Sequence, residues 1–502
     1  MTEEEKIFDI VIIGAGPGGY HSALRAVQFG AKVAVIEKGP LGGTCSNWGC
    51  IPTKALYASA KLIEDIDEKA ASFGVIIDGK ITKDFSKAVD RKNEVVKSLV
   101  DGIAGLLKLR KIPVFQGTGK IEGGNADDGF DVSCTGADGE QTVIKGKRVI
   151  VATGSTPALI PVFNIDHQKI LTSDDILSPD FKVLPEKMLV VGAGVIGCEF
   201  ANIFALFGVK IVMVELLDTM LATEEPTIVK ELKKKFDALG IEVNTGVNVL
   251  KVEATENGVE ATTVPASVPK DQIDDAEKTV FQADLCLVSI GRARTSGNLG
   301  LEELGAKIER GLIMTTKETC ETDVPGVYAI GDVANGGPTN IPQLAHAASY
   351  QGDVAVANAL SSIGGFATEP MIANYDNVPY TIFTSPNIGS VGLREKAAKE
   401  KYGKMSTGRF FYGSLGKAKC MGEDDGFMMI VVDDATDKIV GATCIGAEAP
   451  ELISEVTVAM THNLTAKQLG EVIHSHPTVS EMVLETVEDV HGMAIHKVGR
   501  KK

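Results

Sequence analysis

The chain has 502 residues, 44% hydrophobic and 23% charged, which is too long for one core; about three domains are expected. Its 67 acidic and 50 basic residues give a net charge of −17, which argues against a nucleic-acid backbone or an anionic membrane as the main partner. No apolar run reaches the ~18–20 residues of a membrane span.

The opening "MTEEEKIFDIVIIGAG" is acidic and enters a predicted strand at Phe8. It leaves no room for a signal or transit peptide, so an intracellular, cytoplasmic protein is expected, with an organelle still open if a leader has been removed. From Phe8 to Lys38 an apolar run reads as a buried parallel strand. It is followed by a G-x-G-x-x-G turn (Gly14, Gly16, Gly19), a helix that stops at Gly30, and a second strand ending in Glu37.

Next comes "GGTCSNWGCIPTK", with Cys45 and Cys50 four residues apart. A zinc half-site, a structural staple and a redox dithiol are the choices. Zinc needs four ligands, and no second Cys or His pair of that kind sits nearby in sequence; a staple suits an oxidising compartment. A redox dithiol fits the neighbours. Pro52 suits the first turn of a helix through "KALYASAKLIEDI", which would place both cysteines at or just before a helix N-terminus, where a thiolate is favoured. Regular helical geometry would turn residues five apart by ~140°, so a bridge needs a distorted turn, for which Gly49 offers freedom. The other six of the eight cysteines are scattered and read as small buried hydrophobes.

"RVIVATGS" (Arg148 to Ser155) reads as the strand closing this first unit, with Thr153-Gly154 at its end. From Lys187 to Leu216 the first pattern then returns: strand, Gly192, Gly194 and Gly197, a helix stopping at Gly208, and a strand ending in Glu215. The copies are offset by 178 residues at every one of these positions. One such glycine motif is a weak signal; two complete copies in order point to two dinucleotide sites. In each, the first glycine allows the turn, the second lets backbone approach a pyrophosphate, the third permits helix–strand packing, and the acid accepts a ribose diol. Glu215 is followed by Leu216, Leu217 and Asp218, with no Arg or Lys before Lys230, so this site is expected to take NAD rather than NADP. Two dinucleotides in one chain suggest a flavin and a nicotinamide, and the first copy, directly followed by the Cys pair, is the better FAD site.

"LCLVSIGRA" (Leu285 to Ala293) reads as the strand closing the second unit. "GVYAIGDVAN" is another strand ending in Gly-Asp, whose Asp332 suits a ribityl hydroxyl or a plain turn. After about Ile372 the chain alternates as antiparallel strands, then helical stretches begin near Glu448 and Thr478: an α+β third domain able to supply a dimer surface. Near the end, "HSHPTVSE" holds His476 and Glu481. Thr478–Glu481 also spells a capping box, and a histidine is the natural proton acceptor for thiol–disulfide exchange near neutral pH.

G-G-T-C-x4-C with I-P-x-K, the two glycine motifs and "HSHPTVSE" together resemble the pyridine nucleotide–disulfide oxidoreductases over essentially the whole chain. The resemblance implies an α/β fold: two Rossmann-like dinucleotide-binding domains, with the NAD domain inserted in the FAD domain, plus a C-terminal α+β dimerisation domain. The boundaries expected are 1–157 (FAD, first part), 158–292 (NAD), 293–370 (return to the FAD domain) and 371–502 (interface). It implies that Cys45 exchanges with substrate sulfur, that Cys50 passes electrons to the flavin, and that Lys54 lies near the flavin. Gly119, Thr153, Gly154, Ser155, Asp332, Gln343, Leu344, Ala345 and His346 match further FAD contacts; Glu199, Val247 and Gly291 match NAD contacts. His476, oriented by Glu481, matches a base supplied by the other subunit of a homodimer. Within the family the likeness is to members that oxidise dihydrolipoyl groups on a carrier protein, the E2 of a 2-oxoacid dehydrogenase or the glycine cleavage H protein. Glutathione-type reductases and a scaffold without turnover are the alternatives. Three departures stand out: Trp48 between the cysteines, a long stretch from Asp332 to His346, and "GRARTSGN" in place of a Gly-Arg-Arg-Pro pattern.

Overall fold

The computed structural model describes residues 6–334 and 341–498; 335–340, which lengthen the stretch between Asp332 and His346, lie outside the described residues, as do 1–5 and 499–502. The first unit runs β1 (Ile7–Ile13), α1 (Pro17–Gln28), β2 (Val33–Glu37), α2 (Gly43–Trp48), α3 (Cys50–Lys69), α4 (Phe85–Leu109), β3 (Val114–Gln116), β4 (Thr118–Asn125), β5 (Gly129–Thr135) and β6 (Gln141–Val151). Its sheet has the order β3-β2-β1-β6-β5-β4. The strands β3, β2, β1 and β6 are mutually parallel, and β4 and β5 return antiparallel. Ile10 to Ile13 are all buried, which is why β1 reads as a continuous apolar run rather than an alternating one. β6 begins at Gln141, earlier than the closing strand expected from Arg148, because its first half pairs with β5 and its second half with β1.

A short strand β7 (Ser155–Pro157) leads into the second unit: β8 (Ile170–Leu171), α5 (Ser173–Leu177), β9 (Lys187–Val191), α6 (Val195–Leu206), β10 (Lys210–Val214), α7 (Pro226–Ala238), β11 (Glu242–Asn244), β12 (Val247–Thr255), β13 (Gly258–Pro265), β14 (Thr279–Ala283) and β15 (Leu285–Val288). The parallel sheet β11-β10-β9-β15-β8 repeats the core of the first, and β12-β13-β14 form an antiparallel meander. The helix α6 is buried on almost every side, since it packs against both its own sheet and α3; "VIGCEFANIFAL" carries the matching lack of a polar face.

The chain then crosses back. β16 (Arg292–Arg294) pairs antiparallel with β7, β17 (Ile308–Glu309) pairs with β18 (Leu312–Ile313), and β19 (Val327–Ala329) adds to β6 as a further parallel strand of the first sheet. α8 (Ala345–Ile363) packs on α1. The last unit contains β20 (Tyr380–Ile382), β21 (Ile388–Gly392), α9 (Glu395–Tyr402), β22 (Met405–Phe411), α10 (Gly416–Met421), β23 (Phe427–Asp433), β24 (Ile439–Ile445), α11 (Ala449–Thr461), α12 (Ala466–Gly470) and α13 (Glu481–Val490). Its antiparallel sheet has the order β20-β21-β24-β23-β22, with α11 and α13 packed on it. The α/β class with a separate C-terminal α+β unit is thus the architecture. No helix among the described residues is long and apolar enough to cross a membrane.

The three units meet on α3. Glu64, almost wholly buried, accepts from Ser385 Oγ of the last unit and pairs with Lys235 Nζ of α7 at 2.9 Å and with Lys61 Nζ at 3.3 Å. Burial pushes its carboxyl up, but the Ser385 and Lys235 bonds outweigh that and hold it below the usual range. Glu64→Gln weakens charged hydrogen bonds from Ser385 and Lys235, while Lys61 keeps Asp65 and Glu423 and Lys235 keeps Glu68, so the expected cost is about 2 kcal/mol in the cooperative unit containing it. A depressed carboxyl stabilises above its unfolded pKa of about 4.3 and loses that contribution as pH falls. The melting-temperature gap between parent and Glu64→Gln should therefore hold from pH 7 to about pH 5 and narrow only as thermal melts are moved below about pH 4.3.

Candidate active site

The two strand–turn–helix copies superpose in chemistry as well as in sequence. Glu37 accepts from the backbone N–H of Ala15 (2.5 Å) and Gly39 (2.7 Å); Glu215 accepts from Ala193 (2.6 Å) and Leu217 (2.9 Å), the same partners 178 residues on. Gly14 and Gly192 have φ of +104° and +98°, and a Cβ on either would strike a carbonyl of the neighbouring strand end, Ala152 O or Ser289 O. A Cβ on Gly19 or Gly197 would fall 1.8 or 2.0 Å from the carbonyl of the first glycine. So the first and third glycines are required by the protein's own packing. The second is different: a Cβ on Gly16 would meet only Gly43 Cα at 3.9 Å, and on Gly194 nothing within 4 Å. Open space at a position held by glycine, at the start of a twelve-residue helix, fits a group that brings phosphate against the backbone.

From the first copy a cleft of about 1340 Å³ runs past the cysteines, more than a drug-sized ligand needs and of a size for a dinucleotide. Gly14, Gly16 and Glu37 line its outer end, with Gly119 beside them. Thr153, Gly154 and Ser155 line it from the end of β6, and Asp332 from the 3-10 turn after β19. Gln343, Leu344, Ala345 and His346 line it at the start of α8, where His346 Nε2 bonds to Pro379 O at 2.9 Å. Ser155 Oγ donates to Asp332 Oδ2 at 2.5 Å. Trp48 also lines the cleft, near Gly39. The residues present fit an extended dinucleotide lying along the cleft.

Both Cys45 and Cys50 are free thiols and both line this cleft. Cys50 is the first residue of α3, two residues earlier than the start expected around Pro52, and Cys45 sits inside the separate short helix α2 rather than ahead of α3. The break falls at Gly49, where a Cβ would lie 3.1 Å from Thr44 O. Two helix axes instead of one remove the ~140° mismatch of a regular helix. Within the pair the Cys45 thiol donates to the Cys50 sulfur. That bond, against burial and with help from the Lys54 ammonium, lowers Cys50 to about 7; the same bond and burial raise Cys45. The first proton therefore leaves Cys50, at the N-terminus of a twenty-residue helix.

Lys54 Nζ donates to both oxygens of Glu199, at 2.9 and 2.8 Å, and lies 4.7 Å from the Phe383 ring centroid. Glu199 also accepts from Phe383 N at 2.9 Å. Glu199 thus stands in the cleft beside Lys54, while Gly192, Gly194, Gly197 and Glu215 sit outside it, at the second strand–turn–helix. Val247 N donates to Glu215 O at 2.8 Å, and Gly291 is exposed where the chain leaves β15 for β16. His476 and Glu481 do not line the cleft of their own chain. His476 Nδ1 bonds Glu481 Oε1 at 2.8 Å and its side chain is 77% exposed. Glu481 Oε2 accepts from Thr478 N at 2.9 Å, which is one half of the capping box; Thr478 Oγ1 binds Ser475 O and Ser480 Oγ instead, and α13 starts only at Glu481. The His476–Pro477 bond is cis.

One site residue had not been singled out from the sequence. Arg292 Nε donates to Ser155 Oγ at 2.7 Å, its Nη2 donates to Ser155 O at 2.8 Å and reaches Thr44 Oγ1 at 3.5 Å, and its Nε lies 3.9 Å from Asp332. It ties the returning strand to the residue before Cys45. Its signal was the "GRAR" stretch, visible only as a departure from a pattern.

Comparison with known proteins gives matching results. The pattern of the family described as pyridine nucleotide-disulphide oxidoreductase matches residues 8–352, and that of its dimerisation domain matches 378–487. The chain is 38% identical over 482 residues to a dihydrolipoyl dehydrogenase of Chlorobaculum tepidum, covering 96% of this chain and 97% of that one. It is 38% identical over 492 residues to a dihydrolipoyl dehydrogenase of Bacillus subtilis, covering 97% and 99%. Its fold is similar to that of LpdA from Mycobacterium tuberculosis, with a TM-score of 0.85 at 25% identity over 96% of this chain and 99% of that chain.

Proposed function

The chain belongs to the pyridine nucleotide-disulphide oxidoreductases, and from that membership we propose that it oxidises protein-bound dihydrolipoyl groups to lipoyl while reducing NAD+ to NADH. It is a flavin-dependent enzyme of the disulfide class, and FAD and NAD are its cofactors. The observation that carries the proposal is the Cys45/Cys50 pair across the break between α2 and α3, opening on a cleft that begins at the first glycine motif.

In the proposed reaction one dihydrolipoyl thiol gives its proton to His476 Nε2, the nitrogen left free by the Nδ1 bond to Glu481. The thiolate attacks Cys45 Sγ of the oxidised pair; the Cys45–Cys50 bond breaks and Cys50 leaves as thiolate, the form its lowered pKa favours. The second substrate thiol attacks the lipoyl sulfur of the mixed disulfide, releasing lipoyl and Cys45, and its proton passes to the departing Cys45 sulfur. Lys54 holds positive charge beside Cys50, and Glu199 holds Lys54. FAD, when bound along the cleft, supplies the two-electron carrier between the reduced pair and NAD+. Overall a dithiol and NAD+ become a disulfide, NADH and a proton.

The residue roles and the division at 1–157, 158–292, 293–370 and 371–502 belong to the same proposal; β16 pairing with β7 at the crossing between units supports the middle boundaries. A homodimer is proposed as well. The dimerisation-domain match supports it, as do the exposed apolar side chains Ile473, Met493 and Ile495 close in sequence to His476 and the end of α13. The lipoyl carrier would be a 2-oxoacid dehydrogenase E2 or a glycine cleavage H protein, and the compartment a reducing one, the cytoplasm, in keeping with scattered thiols of which five are buried; the sixth, Cys420, is exposed, contrary to the sequence expectation.

The test is to add dihydrolipoamide and NAD+ to the purified flavoprotein and follow NADH absorbance. NADH formation is expected, with NADP+ at least about 10-fold less effective, since the Glu215 carboxylate would meet a 2′-phosphate. A yellow protein that forms no NADH would favour the scaffold alternative; turnover only with NADPH and glutathione disulfide would favour a glutathione-type reductase.

A further inference from the structure

Beside Glu199 the cleft is also lined by Val195 and Ile196 of α6 and by Tyr380, Leu393 and Arg394 of the last unit, and these residues define its second arm. Val195 follows directly on Gly194, the open glycine of the second motif, so a dinucleotide seated there would enter this arm with its far end. Arg394 is unusual in how it is held. Its Nη2 donates to Glu224 Oε1 at 2.9 Å and its Nη1 to Gly392 O at 3.3 Å, yet its Nε is buried and meets no acceptor among the described residues. The Glu224 side chain has no exposed surface, and its other oxygen accepts from Ser390 Oγ at 2.6 Å. One residue on, Glu225 accepts from Glu395 N at 3.1 Å.

The buried Nε is shut off from the arm, so any contact made there falls to the terminal Nη1 and Nη2 groups. Here the pose is set by a fully buried carboxylate on the second unit, and the guanidinium remains 21% exposed on the wall of the arm. Burying Glu224 without a cation would be strongly unfavourable, so Arg394 neutralises it; the planar fork still keeps N–H groups that Glu224 does not use. We propose that Arg394 is a specificity-determining contact for the nicotinamide ring of NAD+, donating to its carboxamide oxygen, and that Glu224 is the positioning residue that aims it. The pair also spans the second and last units, so the wall of the arm is fixed only when the two are docked.

The inference rests on the proposed function, and its test separates the two. The flavin-loaded parent and the variants Arg394→Leu, Arg394→Lys and Glu224→Gln are compared in three measurements: steady-state kinetics in NAD+, flavin bleaching by dihydrolipoamide without NAD+, and calorimetric binding of NAD+ and of ADP-ribose, which lacks the nicotinamide ring. Arg394→Leu should raise KM for NAD+ and weaken NAD+ binding by about 10- to 100-fold, with kcat changed less than about 3-fold. Arg394→Lys should fall between it and the parent, and Glu224→Gln should shift KM in the same direction. Flavin bleaching and ADP-ribose binding should stay at parental values. Equal weakening of NAD+ and ADP-ribose would overturn the inference, as would an unchanged KM in variants that merely melt at lower temperature. Should Arg394→Leu not fold, the KM and binding shifts of Arg394→Lys and Glu224→Gln decide the question by the same criteria. A parent that forms no NADH from dihydrolipoamide would instead sink the proposed function.

Discussion

Replacing either cysteine of the pair should lower NADH formation from dihydrolipoamide by about 10³-fold or more, because a thiol–disulfide relay has no detour around a missing sulfur. The two variants should fail differently. Cys50→Ser removes the neighbouring thiolate that raises Cys45, so the Cys45 thiol should titrate closer to the ordinary range, where it can still form a mixed disulfide with substrate. Substitution of Cys45 removes the group that substrate attacks and also the donor that lowers Cys50. Here the replacement matters: Cys45→Ser keeps a hydroxyl able to donate to Cys50, whereas Cys45→Ala does not. Titrating thiolate absorbance in the reduced proteins should place Cys50 near its parental value of about 7 in the serine variant and higher in the alanine variant. Equal Cys50 pKa values in both would mean that Lys54 and the α3 terminus, rather than the Cys45 hydrogen bond, set the thiolate. NADH formation within about threefold of the parent in either serine variant would remove the relay altogether.

What could be read from the chain and what could not divide along a physical line. The two glycine motifs were legible because each constraint is local: a turn, a helix start and a strand-end acid a fixed number of residues away, and the duplicated amide contacts of Glu37 and Glu215 follow from that fixed spacing. The cysteine pair was legible for the same reason, but its geometry was not. That the chain breaks into α2 and α3 at Gly49 depends on the close approach of Thr44 O, which no periodicity reports. Glu199 lies on a helix of the second unit, and only docking brings it to Lys54 on α3. Glu64, Arg292, Glu224 and Arg394 are of the same kind. Each has a partner more than a hundred residues away in sequence, and each looks like an ordinary surface charge until three units are assembled around it. The half-formed capping box at Thr478 has a further cause: Glu481 already spends one oxygen on His476, and the Thr478 hydroxyl is taken by Ser475 and Ser480.

His476→Gln should lower kcat/KM for dihydrolipoamide by about 10²–10⁴-fold, the range for loss of a general base, while leaving bound flavin and its NADH-driven reduction at parental levels. Glu481→Gln should act in the same direction and more weakly. Partial burial raises the Glu481 carboxyl, but the His476 and Thr478 bonds outweigh that and keep it charged, so the amide would lose the ion-pair part of an interaction that fixes the ring. The sharper question is which chain supplies the base. His476 is exposed on its own chain and absent from the cleft that holds Cys45, so the proposed reaction needs a second copy. Subunit mixing decides this without ambiguity. A heterodimer of a Cys45→Ser chain and a His476→Gln chain has one site with an intact cysteine pair facing an intact histidine, provided the base crosses between chains. If the base acted within one chain, neither site would be whole. Refolding or co-expressing the two inactive chains should therefore restore NADH formation to roughly half the parental rate per heterodimer. Recovery no better than that of the separate variants would place the base in the same chain as the cysteines, or elsewhere, and would break the link between dimerisation and turnover.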